Sequence, residues 1–464
     1  MTRSASITEW QRKVTMLKLT KSQQKAYDAL LRGENVFLTG GAGTGKTTLI
    51  RKFVSEVDPE CRHTLLAAPT GKAALNLTIE TDEGTVCGST IHRLFGLKTK
   101  PCPRYGGKIP QTLKCADRII IDEISMMRLD IFDYVAEALQ EEAFLRMFED
   151  NPLQIIFVGD FYQLPPVLPD KAGGGASDKE ILDERYECDV GKAYCFQSYA
   201  WDFLGIKTYE LTEIMRQKDD IQFCEALNKI RVGDNSGVDF INKNCDHAKL
   251  DPNRITICGT NKKAAEINGM MLRKNPNINA RFQWDIVSKV SYSIDGYLKN
   301  LQCVENLDLK VGARVICIAN NEKAMNGQIG TVKEICSDGV MVSWDDGRVN
   351  KITEYEWEVS RQEIRPITDE NGKKIGSELT SKTILTITQL PLKLAYAITV
   401  HKSQGETMKQ INVLPDTFET GQLYVALSRC ESVKGIRLSR PLRKSDVLCD
   451  YKITEWYKKQ EVNN

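Results

Sequence analysis

The sequence predicts an α/β protein built from two parallel-sheet cores and a smaller antiparallel β domain. A glycine-rich loop at residues 40–47 joins a short apolar strand pattern to a helix pattern. Strand and helix signals alternate from Val36 to about Lys207 and resume from Thr208. Between residues 284 and 386 the pattern changes to short alternating strands separated by turn dipeptides. We therefore expect a first core over residues 1–207 and a second over 208–464, which carries the β insertion.

The glycine-rich loop reads Gly-Gly-Ala-Gly-Thr-Gly-Lys-Thr, a spacing at which backbone N–H groups wrap nucleotide phosphates. An apolar run at 35–39 precedes it, and the apolar residues between 49 and 54 share one helical face. The loop therefore lies at a helix N-terminus, where the helix dipole favours anions. We expect Lys46 to reach the β- and γ-phosphates and the Thr47 hydroxyl to bind Mg²⁺. The predicted nucleotide-binding residues of this loop are Gly41, Ala42, Gly43, Thr44, Gly45, Lys46, Thr47 and Thr48.

A second apolar run, Ile119–Ile121, ends in two adjacent carboxylates. Phosphoryl transfer needs one carboxylate to hold Mg²⁺ and another group to orient or deprotonate the attacking water. We assign the metal to Asp122 and the base role to Glu123. The alternative is a strand that simply meets a solvated turn, and the phosphate loop upstream makes that alternative weaker.

A third strand pattern, residues 154–158, is followed by Gln163 and then by prolines 165 and 166. A neutral amide past a strand end can respond to a γ-phosphate through one hydrogen bond, and prolines stiffen the segment that relays the response. A rigid proline loop with an incidental glutamine explains the pattern equally well.

The last third of the chain carries the most specific motifs, Gln389–Thr407 and Gly421–Arg429, which resemble the fifth and sixth motifs of superfamily 1 helicases. The Asp122 and Gln163 segments resemble motifs II and III. Further similar segments are Leu19–Gln23 (the adenine-reading glutamine motif), Ala68–Ala74 (motif Ia), Ser89–His92 (motif Ib) and Leu211–Gln217 (motif IV). The best match is the PIF-type and RecD-like subgroup, small phage and bacterial members included, and it spans Leu19 to about Arg443.

This resemblance implies two RecA-like P-loop NTPase cores that close on ATP. It also implies that Gln23 reads adenine and that Arg216 and Arg429, from the second core, reach the phosphates. The positions that would line a single-stranded DNA path are Pro69, Thr70, Thr90, His92, His401 and Ser403. The ordinary alternatives are a salt-bridged surface arginine and a hydroxyl or histidine that caps a helix or is satisfied in the core.

Residues 93–118 form a basic insertion in the first core, where the family places a small strand-separating domain. The segment contains seven cationic residues, a single acidic residue, Asp117, and the aromatic residues Phe95 and Tyr105. The cations are Arg93, Lys98, Lys100, Arg104, Lys108, Lys114 and Arg118. Aromatic side chains among cations favour contact with DNA, although charge runs most often form solvated faces.

The insertion at 284–386 has turn dipeptides at Asp338-Gly339, Asp346-Gly347 and Asn371-Gly372. Residues 311–315 and 326–332 resemble the Src-homology-3-like β-barrel inserted in PIF-type second cores. That resemblance implies that the insertion functions in DNA contact. The alternative is a spacer that only packs on the core.

Composition limits the other possibilities. The net charge is +1, which does not exclude DNA binding because a motor needs a local basic channel only. The 14 cysteines include no Cys-x-x-Cys pair, so we expect no zinc or iron–sulfur site and a reducing intracellular compartment. No apolar stretch has the length of a membrane span, so we expect a soluble protein. Residues 7–17 are expected to form a short helix or loose arm rather than a transit peptide, and residues 173–175 a flexible loop.

We therefore expect an ATP- and Mg²⁺-dependent DNA helicase that, like this subgroup, moves 5′ to 3′ on single-stranded DNA. Its expected partners are single-stranded DNA, DNA forks and replication or repair proteins, with the chain acting as a monomer. Two alternatives stay open: a DNA-stimulated translocase that strips proteins from the strand, and a nucleotide-gated DNA-binding module. The intact Glu123, Gln163 and Arg429 argue against the second alternative.

Overall fold

The fold was determined as a computed structural model of the chain. It describes residues 18–81, 84–97, 102, 104–147, 152–167, 178–217, 220–247, 249–291, 294, 298, 303–319, 321–324, 328–368 and 374–460. The predictions for residues 7–17, 173–175 and the Asn371-Gly372 turn lie outside these residues. The chain divides into two compact units, and the first comprises residues up to Glu213, Ser360–Lys382 and residues from Tyr451 onward. The second comprises Ile214–Val359 and Thr383–Asp450.

The first unit is built on a six-stranded parallel sheet in the order β5-β2-β6-β7-β1-β8. Strands β1, β2 and β7 are buried along their whole length, as expected for a parallel sheet covered on both faces. The strands of this unit, including the short antiparallel pair β3 and β4, are β1 (Val36–Gly40), β2 (Thr64–Ala68), β3 (Ile79–Glu80), β4 (Thr85–Val86), β5 (Gly88–Thr90), β6 (Arg118–Ile121), β7 (Gln154–Val158) and β8 (Lys207–Leu211).

The helices of this unit alternate with its strands along the chain. The apolar face predicted between residues 49 and 54 packs into the core with Leu38, Leu66 and Ile120 of the sheet. The helices are α1 (Lys21–Leu31), α2 (Lys46–Val57), α3 (Gly71–Leu77), α4 (Ile91–Leu94), α5 (Leu129–Leu145), α6 (Asp178–Tyr186) and α7 (Tyr199–Phe203).

The first unit extends further than the boundary we predicted at 207/208. Strand β8 pairs with β1 from Val36↔Lys207 to Gly40↔Leu211, so it belongs to the first sheet. Glu213 is also held there, by hydrogen bonds from Ser22 and Thr20.

The second unit contains a four-stranded parallel sheet, β20-β9-β21-β22, and an antiparallel insertion. Its helices are α8 (Ile221–Arg231), α9 (Gly237–Asn244), α10 (Asn261–Lys274), α11 (Val400–Ser403) and α12 (Gln422–Leu427). Its strands are β9 (Ile255–Cys258), β10 (Ala280–Gln283), β11 (Asp285–Ser288), β12 (Asn306–Leu309), β13 (Arg314–Cys317), β14 (Ile329–Cys336), β15 (Gly339–Trp344), β16 (Val349–Ile352), β17 (Tyr355–Thr368), β18 (Lys374–Gln389), β19 (Leu392–Leu394), β20 (Ala397–Thr399), β21 (Ile411–Val413) and β22 (Ile436–Leu438).

The insertion is a five-stranded antiparallel sheet, β16-β15-β14-β13-β19, over a core that includes Val315, Val332 and Trp344. Hairpin turns lie at both predicted places, since Cys336 pairs with Gly339 and the Trp344 N–H bonds the Arg348 carbonyl. The long strands β17 and β18 pair with each other, and their far ends, within residues 360–382, belong to the first unit. Closure of the insertion into an Src-homology-3-like barrel stays a prediction.

The last helix, α13 (Tyr451–Lys459), also belongs to the first unit and not to the second core as predicted. Its Ile453 is fully buried. Among the described residues, no helix has both the length and the apolar character needed to cross a membrane.

Candidate nucleotide-binding site

The phosphate loop leaves strand β1 at Gly40 and enters helix α2 at Lys46. Gly40, Gly43 and Gly45 have φ values of 142°, 81° and 86°, which side-chain-bearing residues rarely adopt. A Cβ at Gly40 would lie 2.5 Å from the Leu211 carbonyl oxygen, so the loop needs glycine here for space as well as for conformation. These constraints produce a narrow backbone turn at the N-terminus of a 12-residue helix.

Lys46 folds back over this turn. Its Nζ donates to the carbonyl oxygens of Gly40 and Gly41 at 2.7 and 3.1 Å. The ammonium group is therefore fixed at the phosphate loop, where it can bind an anion held by the loop N–H groups.

The Gln23 side chain binds the backbone of the phosphate loop, a contact that the sequence did not predict. Its Nε2 donates to the Thr44 carbonyl at 2.9 Å, and its Oε1 accepts from the Thr20 N–H at 3.0 Å in the capping box of α1. The side chain is only 4% exposed. The side-chain amide nitrogen and oxygen of Gln23 are thus both hydrogen-bonded to the protein backbone. Adenine recognition by Gln23 stays a prediction.

The two predicted carboxylates follow β6 at the same sheet edge. The Asp122 N–H bonds the Ala67 carbonyl at 2.9 Å, and one Asp122 carboxylate oxygen accepts from the Glu123 N–H at 2.8 Å. Burial raises the pKa of Asp122, while the bond from the Glu123 N–H and the cations of Lys46 and Arg51 oppose the rise. The structure thus places Lys46 and Asp122 within electrostatic reach of each other.

Glu123 has φ 53° and ψ 42°, a left-handed conformation rare for a residue other than glycine. Such a residue costs on the order of 1–3 kcal/mol and persists only where the surroundings impose it. Next to it, a Cβ at Gly159 would lie 2.9 Å from the Ile124 side chain, so β7 and the Glu123 turn are tightly apposed.

Gln163 lies past the end of β7 in a turn organised by Asp160. The Gln163 N–H donates to the Asp160 carbonyl at 2.9 Å, and the Asp160 carboxylate accepts from the Tyr162 N–H at 3.2 Å and from Gln163 Nε2 at 3.4 Å. Asp160 is fully buried and Gln163 is nearly so. The turn is therefore built around a polar residue that sequence reasoning did not select.

The predicted DNA-path residues of the first unit lie after β2 and β5 at this same edge. Pro69, Thr70, Thr90 and His92 are all half-buried. The hydroxyls of Thr70 and Thr90 cap helices, accepting from the Ala73 and Arg93 N–H groups at 3.2 and 3.4 Å. Burial, together with the Arg128 cation, lowers the pKa of His92, and Asp130 opposes the change.

In the second unit, Arg216 binds the segment that follows α12, and Arg429 belongs to that segment. Arg216 is half-buried and donates to the Ser428 carbonyl at 3.1 Å. Arg429 is 2% exposed, and its guanidinium donates to the carbonyls of Val425, Ser403 and Glu406 at 2.9, 3.4 and 3.4 Å. Arg429 thus ties the fifth and sixth motifs together, whereas Arg216 is the more accessible of the two.

The prediction that Ser403 lines the DNA path does not fit the structure. Its side chain is fully buried and its hydroxyl donates to the Val400 carbonyl at 2.7 Å. His401, two residues earlier, is half-buried, and burial lowers its pKa.

The basic insertion is packed against an acidic helix, which alters our prediction for its aromatic residues. The Tyr105 hydroxyl donates to a Glu141 carboxylate oxygen of α5 at 2.5 Å, and its ring meets Tyr134 edge-on. Phe95 is buried in the core. Phe95 is therefore closed to DNA, whereas Tyr105 is half-buried and DNA contact by its ring stays a prediction. Lys108 and Lys114 are exposed, while Lys98 and Lys100 lie outside the described residues.

The chain is similar to known proteins in three comparisons: with a family model, with protein sequences and with solved structures. A family model described as an AAA domain matches residues 23–169. The ATP-dependent DNA helicase Pif1 of Bdellovibrio bacteriovorus is 32% identical over 466 residues, covering 96% of this chain and 93% of the relative.

Two solved structures of Bacteroides Pif1 are similar over nearly the whole chain. The complex with ADP-AlF4 is 30% identical with a TM-score of 0.75, and covers 95% of this chain and 97% of that one. The structure bound to ssDNA is 30% identical with a TM-score of 0.61 and the same coverage. These similarities confirm the predicted helicase resemblance and the RecA-like α/β class. The chain belongs to the Pif1 family of ATP-dependent DNA helicases.

Proposed function

We propose that this chain is an ATP-dependent helicase that moves 5′ to 3′ on single-stranded DNA and unwinds duplex DNA at forks. The observation that carries the proposal is the first unit's sheet edge, where the phosphate loop, Lys46, Asp122 and the strained Glu123 follow two strands of one parallel sheet. The ADP-AlF4 and ssDNA complexes of similar proteins support both ligand classes. The direction of movement rests on the family resemblance.

The residues present fit a nucleotide with Mg²⁺. A buried carboxylate with a raised pKa is stabilised in its charged form by nearby cations, and Asp122 faces Lys46 and Arg51. Within the described part of the chain, no cluster of three or more His, Cys, Asp or Glu side chains forms a metal cage. Mg²⁺ does not require such a cage, because it is commonly bound by one or two protein oxygens together with substrate phosphates. Thr47 and Asp122 would hold it, and it would neutralise charge on the phosphates.

The protein groups divide the chemistry of hydrolysis. Lys46 binds the phosphates as a fixed cation, and Glu123 orients or deprotonates the attacking water. Gln163, held by Asp160, responds to the γ-phosphate. Arg216 stabilises charge on the transferring phosphoryl group, a role worth roughly 10³-fold or more in rate. Arg429 holds the fifth and sixth motifs together for the same step.

DNA contact is assigned to Pro69, Thr70, Thr90, His92 and His401. Burial lowers the pKa values of both histidines, and either imidazole can form hydrogen bonds with the strand. Separating each base-pair step costs about 1.4 kcal/mol, well within the free energy of one ATP. We expect the chain to act as a monomer alongside replication or repair proteins.

The direct test is strand displacement on duplexes that carry only a 5′ or only a 3′ single-stranded tail, with and without ATP. We expect unwinding of the 5′-tailed duplex alone, in the presence of ATP and Mg²⁺. Lys46→Ala is the inactive control, and exposed Lys25→Ala is its matched control. Unwinding of the 3′-tailed duplex alone would reverse the proposed polarity. DNA-stimulated ATP turnover with no displacement on either duplex would favour a translocase that strips proteins.

A further inference from the structure

Helix α13 is anchored in the first unit by a cluster of aromatic rings. Trp456 stacks on Phe196 with ring centroids 4.7 Å apart and meets Phe161 edge-on at 5.3 Å. Tyr457 stacks on Tyr162 at 5.1 Å with the ring planes 10° apart. Ring packing therefore holds the helix in place without help from the Tyr457 hydroxyl.

That hydroxyl makes two hydrogen bonds of its own. It lies 2.7 Å from the hydroxyl oxygen of Thr39, which is fully buried, and it accepts from the Phe161 N–H at 3.4 Å. Because an amide N–H can only donate, the Tyr457 oxygen is the acceptor there and its proton is available to Thr39. One hydroxyl thus joins two segments that are 122 residues apart in the sequence.

These segments separate where the ladder between β1 and β7 ends. The last pair is Leu38↔Val158, followed by one more bond from the Gly159 N–H to the Leu38 carbonyl at 3.1 Å. Beyond it, Thr39 continues along β8, while residues 159–163 follow the Asp160 turn. The Tyr457 hydroxyl supplies the next link across the gap.

Each linked residue adjoins a group with a proposed role in hydrolysis. Thr39 precedes Gly40, whose carbonyl accepts from Lys46 Nζ. Phe161 lies two residues before Gln163. We infer that Tyr457 is a positioning residue that sets the distance between the phosphate loop and the γ-phosphate-sensing turn, an inference that rests on the proposed ATPase function. Small displacements of catalytic groups can reduce rates strongly, so one hydroxyl at this point affects turnover more than it affects folding.

The test compares Tyr457→Phe with Tyr451→Phe in the full chain. Tyr457→Phe removes the hydroxyl and keeps the stacked ring. Tyr451→Phe is the matched control, because it makes the same substitution in the same helix at an exposed side chain. We expect Tyr457→Phe to lower kcat for single-strand-stimulated ATP hydrolysis by about 3- to 10-fold, the equivalent of one hydrogen bond. KM for ATP should change less than about twofold, and Tyr451→Phe should leave kcat unchanged.

Two further measurements separate positioning from stability. Tyr457→Phe should lower the thermal midpoint only slightly, because the ring packing that anchors the helix remains. Thr39→Val should lower kcat as Tyr457→Phe does, and the double variant should be no slower than either single one. Equal kcat for wild type and Tyr457→Phe, or an equal fall in kcat in both helix variants, would overturn the inference.

Hydrogen exchange gives a readout that does not depend on activity. The peptide containing Phe161 should exchange faster in Tyr457→Phe than in wild type, and should be unchanged in Tyr451→Phe. If the wild-type chain hydrolysed no ATP, the proposed function would fail, and exchange alone would decide whether the hydroxyl holds the turn. Unchanged exchange at Phe161 would overturn the inference whatever the activity.

Discussion

Individual residues at the candidate site are held by protein groups that the motif patterns do not mention. Glu123 takes a left-handed backbone conformation, and Gln163 depends on buried Asp160. Gln23 uses both atoms of its amide on the protein. Sequence spacing predicts the chemical type of each group, but the neighbours that fix its geometry come from distant strands and turns.

Lys46 and Glu123 should fail in different ways when replaced. Lys46→Ala removes a fixed cation from the phosphate loop and should abolish most ATP turnover by weakening phosphate and transition-state contacts. Glu123→Gln keeps the size of the side chain and removes its charge, so ATP should bind and stay unhydrolysed. Single-turnover hydrolysis and filter binding of ATP and DNA measure both effects, with exposed Glu455→Gln as the control. DNA affinity should survive both changes, and normal hydrolysis by Glu123→Gln would exclude it as the base.

Replacement of the two arginines of the second unit should have different effects, mainly on stability for Arg429 and mainly on catalysis for Arg216. Arg429→Ala leaves the carbonyls of Val425, Ser403 and Glu406 without a charged donor in a buried place, so it should lower the free energy of unfolding by about 2–4 kcal/mol. Arg216→Ala removes one bond at a half-buried position and should cost about 1 kcal/mol while lowering kcat by roughly 10³-fold. Chemical denaturation and ATPase rates measure the two quantities. An Arg429→Ala chain of normal stability and severely reduced kcat would instead make Arg429 the direct phosphate contact.

At the scale of elements, the basic insertion is part of the first core's surface and also a source of exposed cations. Beside the Tyr105–Glu141 bond, the Cys102 N–H donates to Asp130 of α5 at 2.9 Å. Asp130 in turn pairs with Arg128 at 2.6 Å. The insertion is thus anchored on this acidic helix, where Arg104 lies close enough to Glu137 to act on its carboxylate. Charge counts along a segment do not reveal such packing.

The cations of the insertion should act on DNA and not on ATP. Replacement of Lys98, Lys100, Arg104 and Lys108 by alanine should leave most of the single-strand-stimulated ATPase and strongly reduce strand displacement. The salt dependence of DNA affinity should become shallower by about 0.7–0.9 units for each phosphate that the variant no longer neutralises. Tyr105→Phe is the control, since it breaks only the Glu141 bond. A parallel fall in ATPase, translocation and unwinding would mean that the segment supports the fold, and unchanged unwinding would make it a solvated loop.

At the scale of the whole molecule, local signals predicted the fold class and distant pairings decided its boundaries. The phosphate loop, β6 with its two carboxylates and the hairpins of the insertion follow from neighbouring residues alone. Strand β8 joins the first sheet by pairing with β1, and α13 joins the first unit through ring packing and the hydrogen bonds of Tyr457. Neither interaction leaves a local trace, so the sequence pattern assigned both elements to the second core. The sequence predicted no role for Tyr457 for the same reason, because its partners Thr39 and Phe161 are distant in the chain.

The return of the chain's far end to the first unit also affects how the protein is made. About 240 residues separate Glu213 from Tyr451. At about 5–20 residues per second, a ribosome takes roughly 10–50 s to cover that stretch. Through this interval the nascent first unit lacks Trp456 and Tyr457, and the faces of Phe161, Phe196 and Tyr162 that they cover are open. The nucleotide site is therefore completed late in synthesis, and a chain that stops before α13 leaves an aromatic surface for chaperones and proteases to recognise.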